Sequence, residues 1–179
     1  MRKMYSENQI VKVLEGKDVK AKSLQQTQAT YSQEISFRGA SQLRYENIYS
    51  RFEVIGNFLY VIINFKITNT GESSYTAYSV ANTPDSFVIA SEYASKIYDY
   101  QGNTLANATP TDKCIVCQVP ASYSTSISTE YTGNKDLHLS ILNRTGANKL
   151  IVEFTTRAGI AIDAGDSIYV SARTFISLL

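Results

Sequence analysis

The chain has no tryptophan, one histidine, two cysteines and three prolines among its 179 residues. Each scarcity removes a class of chemistry. His138 is the single imidazole, and no Gly-x-Ser-x-Gly elbow exists that could supply it with an activated serine. Cys114 and Cys117 lie three apart, but no second pair of Cys or His completes a set of four metal ligands. Alternation through Ile115 and Val116 reads as strand, which places the two thiols on opposite faces and argues against a redox dithiol. Charged residues make up only 18% and the net charge is +1, so no phosphate-binding surface is expected and nucleic acid is excluded as a partner. The longest apolar run, Phe58 to Ile63, is too short to insert in a membrane as a helix. Behind Met1-Arg2-Lys3-Met4 the sequence turns polar at once, so synthesis in the cytoplasm without a signal peptide is expected.

What remains is abundant β-forming material: 44% hydrophobic residues, with 13 tyrosines. Only the first stretch looks helical. Ser6 can cap it, Gln9 stands at capping-box spacing, Gly16 can end it, and Ile10, Val13 and Leu14 fall on one stripe. Such a short helix is marginal alone, so its stripe is expected to dock on something. From Lys17 to Gln33 the composition is polar and Gln/Thr-rich, which reads as an extended arm. Residues 1–33 are therefore predicted as helix and arm, and 34–179 as the folded domain.

From Ile35 onward the period is two. Gly56-Asn57 suits a type II′ hairpin turn, pairing Val54 with Leu59, Phe52 with Val61 and Ile48 with Phe65. The other face of this hairpin, with Ile55, Phe58, Tyr60 and Ile62, is too apolar to be left in water and too polar for a second core. It is predicted to be covered by a sister subunit. Further alternating runs follow at Tyr75–Val80, Phe87–Ala90, Ser95–Tyr100, Cys114–Val119, Ser122–Tyr131, Leu137–Leu142, Leu150–Thr156, Ile160–Ile162 and Ser167–Leu178, with turn residues between them. Many short strands and almost no helix predict an all-β, jelly-roll-like β-sandwich with a short N-terminal helix and extended arm.

No catalytic constellation stands out. Glu53, Glu92, Asp99, Asp112, Glu130, Glu153 and Asp163 are scattered over strands and loops, and no spacing selects two as acid and base. No catalytic residue, metal or cofactor is expected. The tyrosines are the remaining signal: Tyr93, Tyr98 and Tyr100 crowd a turn-rich stretch where a flat ring with a polar tip can grip a sugar or a protein.

Met4 to Val11 and Val54 to Ile63 resemble segments of bacteriophage virion accessory proteins, the small head-fibre, tail-fibre or baseplate proteins. The resemblance implies a non-enzymatic homotrimer in the virion, attached to other virion proteins through an N-terminal segment containing Ile10, Val13 and Leu14. It leaves Ile55, Phe58, Tyr60 and Ile62 as the subunit interface, and Tyr93, Tyr98 and Tyr100 as contacts to a host-surface glycan or protein. The alternative of another class is a jelly-roll carbohydrate-binding module of a cellular protein, which predicts monomers and measurable sugar affinity.

Overall fold

The computed structural model describes residues 29–84, 87–107, 114–125, 136–143 and 148–178. Its strands form two antiparallel sheets. In the larger, β1 (Tyr31–Glu34) pairs with β3 (Arg51–Ile55), which pairs with β4 (Phe58–Asn69), then β10 (Ser167–Ser177) and β7 (Ser122–Ser124). β2 (Leu43–Asn47) continues the β3 side, pairing with the far half of β4. The smaller sheet runs β5 (Tyr75–Asn82), β9 (Leu150–Ile162), β8 (His138–Asn143), β6 (Cys114–Pro120). The predicted jelly-roll-like sandwich is what the chain forms.

Strict alternation drives it. Leu59, Val61, Ile63, Phe65 and Ile67 of β4 are all buried while the residues between them face outward. Across the interior they meet Leu139, Ile141, Val152, Phe154 and Ile160 of the smaller sheet. Phe65 is the hub, with its ring 4.3 Å from Phe37 and 5.3 Å from Phe154. Two polar residues tie the layers together. The buried Asn69 side chain donates to the carbonyls of Ser73 and Ile162, both at 2.8 Å, and accepts from the Gly71 N–H. Tyr45 Oη crosses from β2 to donate to the Val80 carbonyl of β5 at 2.8 Å.

The hairpin turn forms at Gly56-Asn57, where Gly56 has φ 60° and so occupies the position that a type II′ turn reserves for glycine. The predicted pairs Val54–Leu59 and Phe52–Val61 are present. The third is not. Asn47, rather than Ile48, stands opposite Phe65, because three residues, Ile48 to Ser50, span the same length as Ile63 and Asn64. This is a β-bulge. The Ile48 and Tyr49 N–H groups both donate to the Asn64 carbonyl, at 3.1 and 2.9 Å, and the extra residue turns Ile48 out to solvent.

Other expectations shift for similar local reasons. Phe87–Ala90 is not a strand but contributes a single bridge at Val88, and Ser95–Tyr100 likewise bridges only at Tyr98, after a short helix α1 (Ser91–Ala94). Leu150–Thr156 and Ile160–Ile162 merge into the single strand β9, bent at Gly159, where φ is 74° and a Cβ would stand 2.7 Å from Thr76. β1 begins at Tyr31, three residues inside the predicted arm, because Tyr31 and Gln33 alternate with Ser32 and Glu34 against β3. The predicted helix, with Ile10, Val13 and Leu14, lies outside the described residues.

Candidate functional site: a trough on the outer face of the larger sheet

The outward residues of β4 and β10 pair across the sheet: Lys66 beside Tyr169, Asn64 beside Ser171, Ile62 beside Arg173, Tyr60 beside Phe175. Over the middle of this ladder lies a hollow of about 380 Å³. Its floor is the β4–β10 pair around Asn64 and Ser171. One wall is the bulge, with Ile48 and Tyr49; the other is the short edge strand β7, with Ser122 and Ser124. A bulge on one side and a chain crossover on the other thus frame the two central strands. The crossover is made at Pro120-Ala121, where β6 of one sheet passes directly into β7 of the other.

The hollow does not stand alone. Towards the start of β10 it shares Tyr169 with a second one, lined by Lys66, Thr125, Asp163 and Asp166. Towards the end it shares Asn64, Ser122 and Ser171 with a third, which reaches Pro120 and Arg173. Together they make one open trough along β10 from Ser167 to Arg173, roughly 20 Å at strand rise. Beyond Arg173 comes a cluster of three rings. Phe58, Tyr60 and Phe175 lie with centroids 5.5 to 6.4 Å apart and planes tilted by 62°, 89° and 45° to one another. Rings so tilted cannot present their faces to one flat plane.

One pair of charges on this face is spent internally. Arg51 bonds Glu53 at 3.5 Å and lies 4.7 Å over the Tyr49 ring, while Tyr49 Oη donates to the same Glu53 carboxylate at 3.3 Å. This triangle contributes little to stability, since surface pairs are worth about 0–1 kcal/mol. Its effect is to fix one face of Tyr49 under a guanidinium and leave the ring oriented at the trough wall. Lys66 stands opposite Glu46 in the β2–β4 register and shares its hollow with Asp163 and Asp166.

Ile55, Phe58, Tyr60 and Ile62 all sit on this outer face, as alternation predicted, with Phe58 the most exposed of them. The loop tyrosines differ in exposure. Tyr93 packs its ring 4.9 Å from Tyr31, while Tyr98 and Tyr100 are exposed, Tyr100 at 76%. Between these two, Asp99 is buried. Burial raises the pKa of its carboxyl, but hydrogen bonds from the Asn103 and Gln101 N–H groups and the Asn143 amide outweigh that and hold it below the ordinary value. It clasps a loop and is no candidate acid. Cys117 is a half-buried thiol against Thr174, and the ring of His138 bonds the Asp136 carbonyl. Among the described residues no three His, Cys, Asp or Glu side chains gather as metal ligands. Sequence reasoning missed Tyr49, Asn64, Tyr169 and Arg173. The one available signal is the alternation of the run Ser167–Leu178, whose outward set includes Tyr169, Ser171 and Arg173.

No family model matches the chain, and no curated protein matches it. Two solved structures are similar. One is the CBM3a-L domain with flanking linkers from scaffoldin cipA of the Clostridium thermocellum cellulosome, at 16% identity and TM-score 0.35. The match covers 76% of this chain and 66% of that one, so this chain spans just under two thirds of its length. The other is the family 3a carbohydrate-binding module of the same scaffold, at 15% identity and TM-score 0.35, covering 79% of this chain and 76% of that one. Similarity at this level assigns no ligand here. The virion expectation is corrected on this point: both similar structures are carbohydrate-binding modules, and the structural role in a virion is not carried further.

Proposed function

We propose that this domain is a non-catalytic carbohydrate-binding module that takes an extended glycan chain in the trough along β10. The observation that carries the reading is the trough's lining. Tyr49 and Tyr169 stand at its wall and floor, with the Asn64 amide and the hydroxyls of Ser122, Ser124 and Ser171 between them. A sugar ring offers apolar C–H faces and a rim of hydroxyls, and this lining answers both. The open ends suit a polymer rather than a free monosaccharide, and the tilted rings of Phe58, Tyr60 and Phe175 suit a single chain rather than a flat crystalline surface. Tyr49, held by Arg51 and Glu53 before any ligand arrives, loses little freedom on binding.

Affinity electrophoresis through gels containing soluble β-glucan, xylan, galactomannan or polygalacturonate, with a pull-down on microcrystalline cellulose, tests this. At least one soluble polymer is expected to retard the domain. Tyr49→Ala and Tyr169→Ala are each expected to weaken that binding about tenfold, the equivalent of one aromatic contact of ~1.4 kcal/mol. Retardation by none of the four, or retention of full affinity in both variants, would overturn the assignment.

A further inference from the structure

We infer that the glycan is acidic, and that Arg173 is the residue that reads its carboxylate. The inference rests on the glycan-binding reading and narrows it to a substrate class. Two cations line the trough itself, Lys66 and Arg173, and a third, Arg51, stands beside Tyr49 of its wall. Arg51 bonds Glu53 and covers Tyr49. Lys66 faces Glu46 and has two aspartates in its hollow. Arg173 has no acidic partner among the described residues. It is exposed, and its sheet neighbour across the ladder is the apolar Ile62.

Its position is what gives the free charge meaning. Arg173 lines the end hollow together with Asn64, Ser122 and Ser171, and the next outward residue along its strand is Phe175 of the ring cluster. A sugar stacked against Phe175 or Tyr60 would bring its substituents to the guanidinium, while the next unit along the chain would meet the hydroxyls and amide. A planar fork of N–H donors matches a carboxylate in a bidentate fashion, which a neutral hydroxymethyl group cannot reproduce. The recognised polymer is therefore a uronate-type polysaccharide, held by stacking at the rings, by hydroxyl contacts in the trough and by one ion pair between them.

The decisive comparison uses one backbone with and without its charge. Polygalacturonate and its fully methyl-esterified form are titrated into the domain by calorimetry, alongside Arg173→Gln and Arg173→Lys. The wild type is expected to bind polygalacturonate at least tenfold more tightly than the ester. Arg173→Gln should abolish that preference, and Arg173→Lys should restore only part of it, since a point charge lacks the fork. Equal affinity for acid and ester, or an undiminished preference in Arg173→Gln, would overturn the inference. Binding of a neutral polysaccharide alone would sink the acidic assignment and leave the glycan-binding reading standing. Failure of every polymer to bind would sink both.

Discussion

Tyr45 shows how a single side chain couples the two sheets to solvent conditions. Its hydroxyl reaches the Val80 carbonyl across the interior, and Gly39 lies so close to Tyr45 Oη that it has no room for a Cβ. Burial, with a smaller contribution from nearby Tyr75, pushes the phenol up to about 12. The unfolded value is close to 10, so the folded protein holds the neutral form more tightly than the unfolded chain does. The stabilisation is therefore complete below pH 10 and is lost as pH rises through 12. Tyr45→Phe should melt at a lower temperature than the wild type at pH 8, by the loss of one hydrogen bond worth about 0.5–1.5 kcal/mol. Thermal melts from pH 8 to 12 should then show the gap closing as the wild-type phenol ionises. A gap that stays constant would mean that the phenol does not titrate in this window.

At the scale of the element, the bulge at Ile48–Ser50 makes the difference between a regular hairpin and a walled trough. Ser50 is buried and its hydroxyl donates to the Asn64 carbonyl at 3.0 Å, so the extra residue is held in place rather than left slack. Deleting Ile48 would restore two residues against two and let β2 and β3 pair with β4 as one uninterrupted strand. Such a variant is expected to keep its thermal midpoint within a few degrees and to lose most of its affinity for the retarding polysaccharide. Unchanged affinity would show that the wall is dispensable. Periodicity made β4 and β10 legible, because their buried and exposed sets alternate without a break. It also located the Gly56-Asn57 turn, whose two neighbours obey the predicted pairing. It could not locate the bulge, since Arg44 to Thr68 alternates well enough in either register. The single added residue is decided by which backbone groups Asn64 can satisfy. The trough was hidden for the same reason: Asn64, Ser122 and Tyr169 come from three strands and Tyr49 from the bulge, and only the strand order brings them together.

For the molecule as a whole, the question is whether its apolar outer end serves a ligand or a second copy. Ile55, Phe58, Tyr60 and Ile62 were expected to close a trimer, and they do lie together on one face. Yet Phe58 packs edge to face on Tyr60 and Phe175, whose own rings are tilted to one another, which covers part of their surface within one chain. A stable interface engages about 20–30 residues on each side, far more than this cluster offers. Stacking two such faces would also bring the unpaired Arg173 guanidinium of each copy towards an apolar surface without an anion to meet it. The glycan-binding reading therefore predicts a monomer of 19.9 kDa by sedimentation equilibrium at micromolar concentration. It predicts too that Phe175→Ala weakens polysaccharide binding without changing the sedimenting mass. A concentration-dependent trimer dissolved by Phe175→Ala would return the ring cluster to a subunit interface, and Arg173 would then lie at a seam between copies rather than over a bound chain.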